Sequence, residues 1–443
     1  MNKYIYIFCF FAFTFSMKGQ EKTMEISLDD AVKFALKNSY NSTVASNEIL
    51  SAEKTKWETT TIGLPQINAK VDYQNFLKQQ VTLADFDGDG VNEEFLFGTK
   101  QNVNATITLT QLLFDGSYLV GLESAKTYLK ISEQAKEKTE LTTRETVINA
   151  YGNVLVAEKS LEILFKNKIV NDRILKGARL GYENGLAELE DVEQFEIIEG
   201  NINNNIRSAK RLKNIAYKLL NISLGNKINT KLILTDTLDT LVLANLNLNI
   251  LSESFNLENN IDYKIAENDR ESKRLLMKLE QSKALPSLNA FLNYGAQANS
   301  NSFSFLSSNQ RWFDSSLLGV SLNIPVFSSF KRSAKTAQAK IALENADIRL
   351  EEAKQRLSLA AESAKSDYQL SIDNYQTAKK NLSLAEKIEK KQQIKFNEGI
   401  TTSFDLLQAQ NQLYTQQNAY VKAMLNIIAT KATLENALNT PIK

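Results

Sequence analysis

Apolar and polar residues alternate strictly after Pro65. Ile67, Ala69, Val71 and Tyr73 point one way, while Asn68, Lys70, Asp72 and Gln74 point the other. A period of two predicts a β-strand with one apolar and one polar face. A second such segment sets Val103, Ala105, Ile107 and Leu109 against Asn104, Thr106, Thr108 and Thr110. The pattern returns with Leu288, Ala290, Leu292 and Tyr294, and again with Leu318, Val320, Leu322 and Ile324. Long polar loops are expected between the members of each pair, over residues 78–100 and 297–315. Pro65, Pro286 and Pro325 fall at the ends of these segments, where a missing ladder donor is tolerated.

Elsewhere the period is helical. Residues 27–60 open on Ser27-Leu28-Asp29-Asp30, a helix start with acids in the first turn. Residues 117–184 and 332–398 are helical runs, each long enough for roughly 100 Å at about 1.5 Å per residue. In the latter, Ala342, Ala346, Leu350, Ala353, Leu357, Ala360, Ala364 and Tyr368 recur at spacings of three and four, the pattern of a coiled-coil seam. Alanine lets neighbouring helices approach closely, and the opposite faces carry Lys, Glu, Gln and Asn. Helices of this length must lie against others equally long.

The second half of the chain repeats the first. Leu64-Pro65-Gln66-Ile67-Asn68-Ala69 returns as Leu285-Pro286-Ser287-Leu288-Asn289-Ala290. Tyr182, Gly185, Asp191 and Gln194 return as Phe396, Gly399, Asp405 and Gln408 at a constant offset. The period far exceeds the 20–50 residues of solenoids, so one large unit is duplicated. This divides the chain into residues 1–20, a first repeat over 21–225, a linker over 226–246 rich in Leu, Thr and Asn, and a second repeat over 247–443. Each repeat reads as helix, β-hairpin, long helix, helix.

Composition narrows the function. Gly 16 and Pro 4 are low, where average usage predicts roughly 31 and 22. Long uninterrupted elements follow. The 52 Lys and Arg against 51 Asp and Glu leave a net charge of +1, with no basic footprint for nucleic acid. Histidine is absent and Cys9 is the single cysteine. That removes Ser-His-Asp and Cys-His catalysis, His-ligated zinc and thiolate metal sites. It also argues against a copper or silver relay. No acid pair is singled out for one cleft, as a glycosidase would need. No enzyme is expected.

Residues 1–20 read as a secretory signal, with Lys3, an apolar run over 4–15 and small or turn-prone residues at 16–20. The run is too short for the ~20 residues of a spanning helix. No later stretch is apolar for long enough, so a membrane span must be made of strands. Strands of about ten residues with one apolar face suit a transmembrane β-barrel. Four cannot close one, because the smallest closed barrels have about eight. Bare edges are forbidden in lipid. The barrel must therefore be shared between chains, with the polar faces lining a lumen.

The chain resembles the outer-membrane efflux proteins, the TolC-like channels. The resemblance rests on the duplicated Leu-Pro-x-Leu/Ile strand openings, the Leu-x-x-x-x-Phe strand ends (Leu109 with Phe114, Leu322 with Phe327) and the Gly-x-x-x-x-x-Asp tips. It covers essentially everything after residue 20. It implies a mixed α/β homotrimer, with a shared twelve-stranded barrel in the outer membrane and long coiled-coil helices forming a periplasmic α-barrel. It further implies a passive exit duct that docks with a periplasmic adaptor and an inner-membrane pump. The competing reading is an exported coiled-coil scaffold or adhesin whose strands never enter lipid.

Tyr182-Glu183-Asn184-Gly185 and Phe396-Asn397-Glu398-Gly399 interrupt helical runs, as glycine-capped hairpin turns do. The resemblance makes them the periplasmic mouth. It implies that Asp405 faces the aperture in an acidic ring and that Asp191 helps hold neighbouring coils closed. The family's partner tyrosine falls on Phe396, which has no hydroxyl. A second constricting aspartate falls on Gln408 and a gate arginine on Thr401. A weaker closing network and a single acidic tier follow from the resemblance. A carboxylate ring would bind cations and shape selectivity; plain N-capping is the alternative for Asp405.

One loop carries separate chemistry. Asp85, Asp87, Asp89 and Glu93 stand at positions 1, 3, 5 and 9, with Gly90 after the third acid, a spacing similar to calcium loops. Position 12 is Leu96, where an EF-hand has a bidentate glutamate. Calcium would clamp this external loop; otherwise it is an acidic, glycine-turned loop.

Overall fold

The computed structural model describes residues 24–85, 88, 90, 92–96 and 98–439. The leader expected over residues 1–20 lies outside them. The described elements are β1 (Met24–Ile26), α1 (Leu28–Asn38), α2 (Tyr40–Thr61), β2 (Gln66–Asn75), β3 (Val81–Ala84), β4 (Glu93–Leu96), β5 (Gln101–Asp115), α3 (Gly116–Glu183) and α4 (Leu189–Leu224). Then come β6 (Leu232–Leu234), α5 (Leu238–Asn245), α6 (Ile261–Ser282), β7 (Ser287–Ser300), β8 (Phe313–Asn323), α7 (Lys331–Asn397) and α8 (Ser403–Ala437). The result is a mixed α/β fold dominated by helix. Two compact units result. One gathers residues up to Val44, Thr139–Asn256 and those from Leu359 onward; the other gathers Ala45–Lys138 and Leu257–Ser358. Each unit draws on both halves of the sequence.

The second unit holds an antiparallel sheet in the order β2-β5-β7-β8. Directly opposed residues in such a sheet share a face. Ile67 opposes Leu109, Leu109 opposes Leu292, and Leu292 opposes Leu318. The four separate alternations thus join into one apolar face, and it lies open: Ile67, Val71, Leu318 and Val320 are all exposed. Lys70, Thr106, Gly295 and Ser315 form a matching row on the polar face. Phe291 is an exception on that face. Gly319 makes room for it, since a Cβ there would sit 2.4 Å from the Phe291 ring. Among the described residues, β2 and β8 each have a partner on one side only.

Both expected polar loops hold regular contacts among their described residues. Residues 78–100 contain the short β3–β4 hairpin, with Val81 opposite Leu96. Four-residue strands are too short for a period of two to announce them. After β7, Phe303, Phe305 and Tyr73 form an edge-to-face triangle with centroids 5.7–6.0 Å apart. Phe305 is buried with Val103 and Ala298. Those aromatics find partners only once the sheet register has placed Tyr73 and Val103.

In the first unit, the helix expected over 27–60 divides at Ser39, which adopts an extended backbone (φ −62°, ψ 150°). The Ser39 hydroxyl accepts from the Ser42 N–H at 3.2 Å, starting α2 afresh. Gly225 ends α4 in the left-handed region and lies against this break; a Cβ on it would fall 2.2 Å from the Asn38 carbonyl oxygen. Residues 226–246 are folded and contain β6 and α5. Met24 of β1 pairs with Leu232 of β6 in parallel. Leu238, Leu241 and Val242 enter a core shared with α1, α3, α7 and α8. Beside that core, the buried Tyr151 hydroxyl donates to Asp236 Oδ2 at 2.8 Å. The Leu28 N–H donates to the same oxygen at 2.7 Å. The seam read on α7 is displaced at one point: Ala360 is exposed, and Ala361 is the buried residue. Three- and four-residue steps alternate freely along a helix, and packing selects which one occurs.

Candidate functional site

Helices α3 and α7 have 68 and 67 residues, and they end in the same way. The Gly185 N–H donates to the Tyr182 carbonyl at 2.9 Å and the Leu186 N–H to the Gly181 carbonyl at 2.8 Å. The Gly399 N–H donates to the Phe396 carbonyl at 3.0 Å and the Ile400 N–H to the Lys395 carbonyl at 2.8 Å. This paired bonding is a Schellman turn, which needs a left-handed residue before the chain departs. Gly185 and Gly399 supply it, at φ +73° and +68°. The next residues, Leu186 and Ile400, stand 86% and 71% exposed. Apolar side chains thus stand bare at both turns.

The helices that follow start differently. Helix α4 is entered through Glu188, whose side chain caps no backbone group, and Asp191 lies in its first turn, half-buried. Helix α8 starts with a reciprocal capping box. Thr402 Oγ1 accepts from the Asp405 N–H at 3.2 Å, and Asp405 Oδ2 accepts from the Thr402 N–H at 3.5 Å. Asp405 Oδ2 also accepts from the Thr401 hydroxyl at 2.8 Å. That hydroxyl, then the Thr402 one, holds the Asp405 carboxyl below the usual aspartate range. Asp405 is therefore a capping residue, and it is also exposed. Gln408 is exposed on the same helix.

Phe396 is turned inward. Its ring meets that of Phe195 edge to face, with centroids 5.5 Å apart, over a core of Ile174, Leu175, Ala178, Val192 and Leu406. The Ser403 hydroxyl donates to Gln194 Oε1 at 3.5 Å, joining the starts of α8 and α4. Phe195 and Ser403 carry no sequence signature of their roles, whereas Thr402 does, because a Thr three residues before an acid marks a capping box. A set of polar groups buried further along the helices is equally silent in the sequence. Asn167 and Gln417 exchange amide hydrogen bonds at 2.8 and 3.3 Å, and Gln410 is buried with both amide atoms unpaired. Burial raises the Glu389 carboxyl and pushes the Tyr414 hydroxyl up to about 12.

In the acidic loop, Asp85 Oδ1 accepts from the Gly88 N–H at 2.8 Å and Oδ2 from the Gly90 N–H at 2.9 Å. Glu93 opens β4. Asp87 and Asp89 lie outside the described residues.

An open four-stranded sheet with a bare apolar face, joined in sequence to helices of nearly 70 residues, defines a narrow class of proteins. The chain belongs to the outer membrane efflux protein family, whose model matches residues 60–225 and 255–440. It is 23% identical over 342 residues to the outer membrane protein TolC of Vibrio cholerae, covering 76% of this chain and 77% of that protein. Among solved structures it is similar to VceC of Vibrio cholerae, with a TM-score of 0.71 at 15% identity, over 94% of this chain and 97% of that one. It is also similar to the MtrE channel of Neisseria gonorrhoeae in its open state, with a TM-score of 0.71 at 17% identity, over 94% and 89%. The chain is thus an efflux duct of the outer membrane. The family is one of channels and not of enzymes, and membership decides against a scaffold or adhesin whose strands stay out of lipid.

Proposed function

We propose that three copies of this chain close a twelve-stranded barrel and that the assembly is the exit duct of a tripartite export system. The open edges of β2 and β8 carry this reading. They run for 10 and 11 residues beside an exposed apolar face. Each unpaired backbone group in hydrocarbon costs several kcal/mol. Pairing β8 of one copy with β2 of the next removes every edge. Twelve strands fall between the roughly eight of filled barrels and the sixteen or so of open porins. The polar rows would then line a water-filled lumen.

The near-equal pairs α3 with α7 and α4 with α8, the latter 36 and 35 residues, support tandem repeats that together wall a periplasmic tunnel. Gly185 and Gly399 would turn the chain at its mouth. The bare Leu186 and Ile400 would meet the periplasmic adaptor there, while an inner-membrane pump supplies the energy. Asp405 would ring the aperture with three carboxylates, and Gln408 adds no second charged tier. Asp191 would face the neighbouring coil, and Phe396 acts within its own copy as a core residue. Photo-crosslinkers placed at Ile400 and at Leu318 test the arrangement. The adaptor should be captured from Ile400 alone; capture from Leu318 would contradict it.

A further inference from the structure

A pocket of about 560 Å³ lies beside β6 and is lined by Lys210, Lys213, Lys218 and Lys231, with no acidic side chain in its wall. The chain as a whole carries only +1, so the ammonium groups of Lys210 and Lys218, which share this hollow, are a local excess. Lys213 is balanced by Glu158 at 2.8 Å. Among the described residues, neither Lys210 nor Lys218 has a carboxylate partner.

The same pocket reaches a sheet edge. The Met24 N–H donates to the Lys231 carbonyl at 3.0 Å and the Thr235 N–H to the Ile26 carbonyl at 3.2 Å. These bonds fix the phase of the two-stranded β1–β6 sheet. Lys231, Ile233 and Thr235 turn their ladder groups towards β1, and the N–H and C=O of Leu232 and Leu234 face the other way. Leu232 lines the pocket, and no other strand covers that edge among the described residues. An unpaired N–H and C=O invite an added strand. The lining holds no arginine fork of the kind that selects phosphate.

We propose that this pocket docks an extended acidic segment of a partner protein, which adds as a strand to the free edge of β6 with its carboxylates among the lysines. The inference rests on this pocket staying open when copies of the chain assemble. Full-length protein in detergent should bind a short fluorescent peptide that alternates Glu and Val, with affinity that falls as salt rises. Lys210→Gln together with Lys218→Gln should weaken binding at least about tenfold while leaving the thermal midpoint unchanged. Peptides N-methylated on alternate amides should lose binding in one phase and keep it in the other. The proposal is overturned if the acidic peptide does not bind or if both N-methylated phases bind alike. It is equally overturned if the double variant binds normally, or if inorganic phosphate or cell-wall muropeptides compete as well as the unlabelled peptide.

Discussion

The ring of Phe396 closes edge to face on that of Phe195, so this side chain serves as an aromatic anchor in the core of its own chain. Phe195 is fully buried, and Phe195→Ala should cost about 3–5 kcal/mol of local stability. Limited proteolysis should then cut near residues 181–189 and 397–403 in the variant before the wild type. Phe396→Tyr should leave that protease pattern unchanged, because its position is only partly buried.

Asp405 caps α8 and is exposed, and the proposed function puts its charge at the mouth. Its carboxyl titrates below the ordinary aspartate value of about 3.9, held down by the hydroxyls of Thr401 and Thr402. A depressed pKa means that the capping contribution is complete above that ordinary value and is lost as pH falls through the lowered one. Cation preference in planar bilayers should therefore persist down to about pH 4 and fade only in stronger acid. Asp405→Asn should reduce it at every pH. Equal ion selectivity in the variant and the wild type would remove Asp405 from the aperture.

Three left-handed glycines should respond unequally. A Cβ meets nothing at Gly185 or Gly399, so alanine there carries only the left-handed backbone penalty, about 1–2 kcal/mol. At Gly225 the same methyl group would strike the Asn38 carbonyl at 2.2 Å, in addition to a φ of +81°. Gly225→Ala should lower the yield of folded protein sharply, while Gly399→Ala folds with a small drop in thermal midpoint.

Tyr151 ties Asp236 into the first unit, and burial together with that carboxylate raises its pKa well above 10. The bond contributes stability below the unfolded value of about 10, and the contribution is lost as pH rises through the folded one. Tyr151→Phe should cost about 1–3 kcal/mol at neutral pH, since Asp236 loses a donor. Its thermal midpoint should converge with that of the wild type in strong alkali.

Much of this fold was legible in the chain because the strands are long and two-faced. Ile67, Leu109, Leu292 and Leu318 each announce a period of two, and the register merely lines them up. The glycine turns were equally visible, since Gly185 and Gly399 punctuate helical runs nearly free of breakers. The break at Ser39 and the folded stretch around β6 and α5 were not. Both are fixed by tertiary contacts, Gly225 against Asn38 in one case and Met24 beside Leu232 in the other. The inward turn of Phe396 was hidden for the same reason, because its partner Phe195 lies on another helix.

The acidic loop gives a separate test. If calcium sits among Asp85, Asp87, Asp89 and Glu93, millimolar calcium should protect residues 78–100 from protease and a chelator should reverse it. Identical digestion with and without the ion would leave Asp85 with the backbone role it already has, capping Gly88 and Gly90.

The edges of β2 and β8 make the protein mass of the detergent-solubilised particle the most direct test. Light scattering with the detergent contribution subtracted should return three chains per particle, resistant to dilution. A stable particle holding one chain would leave both edges bare in hydrocarbon and contradict the shared barrel.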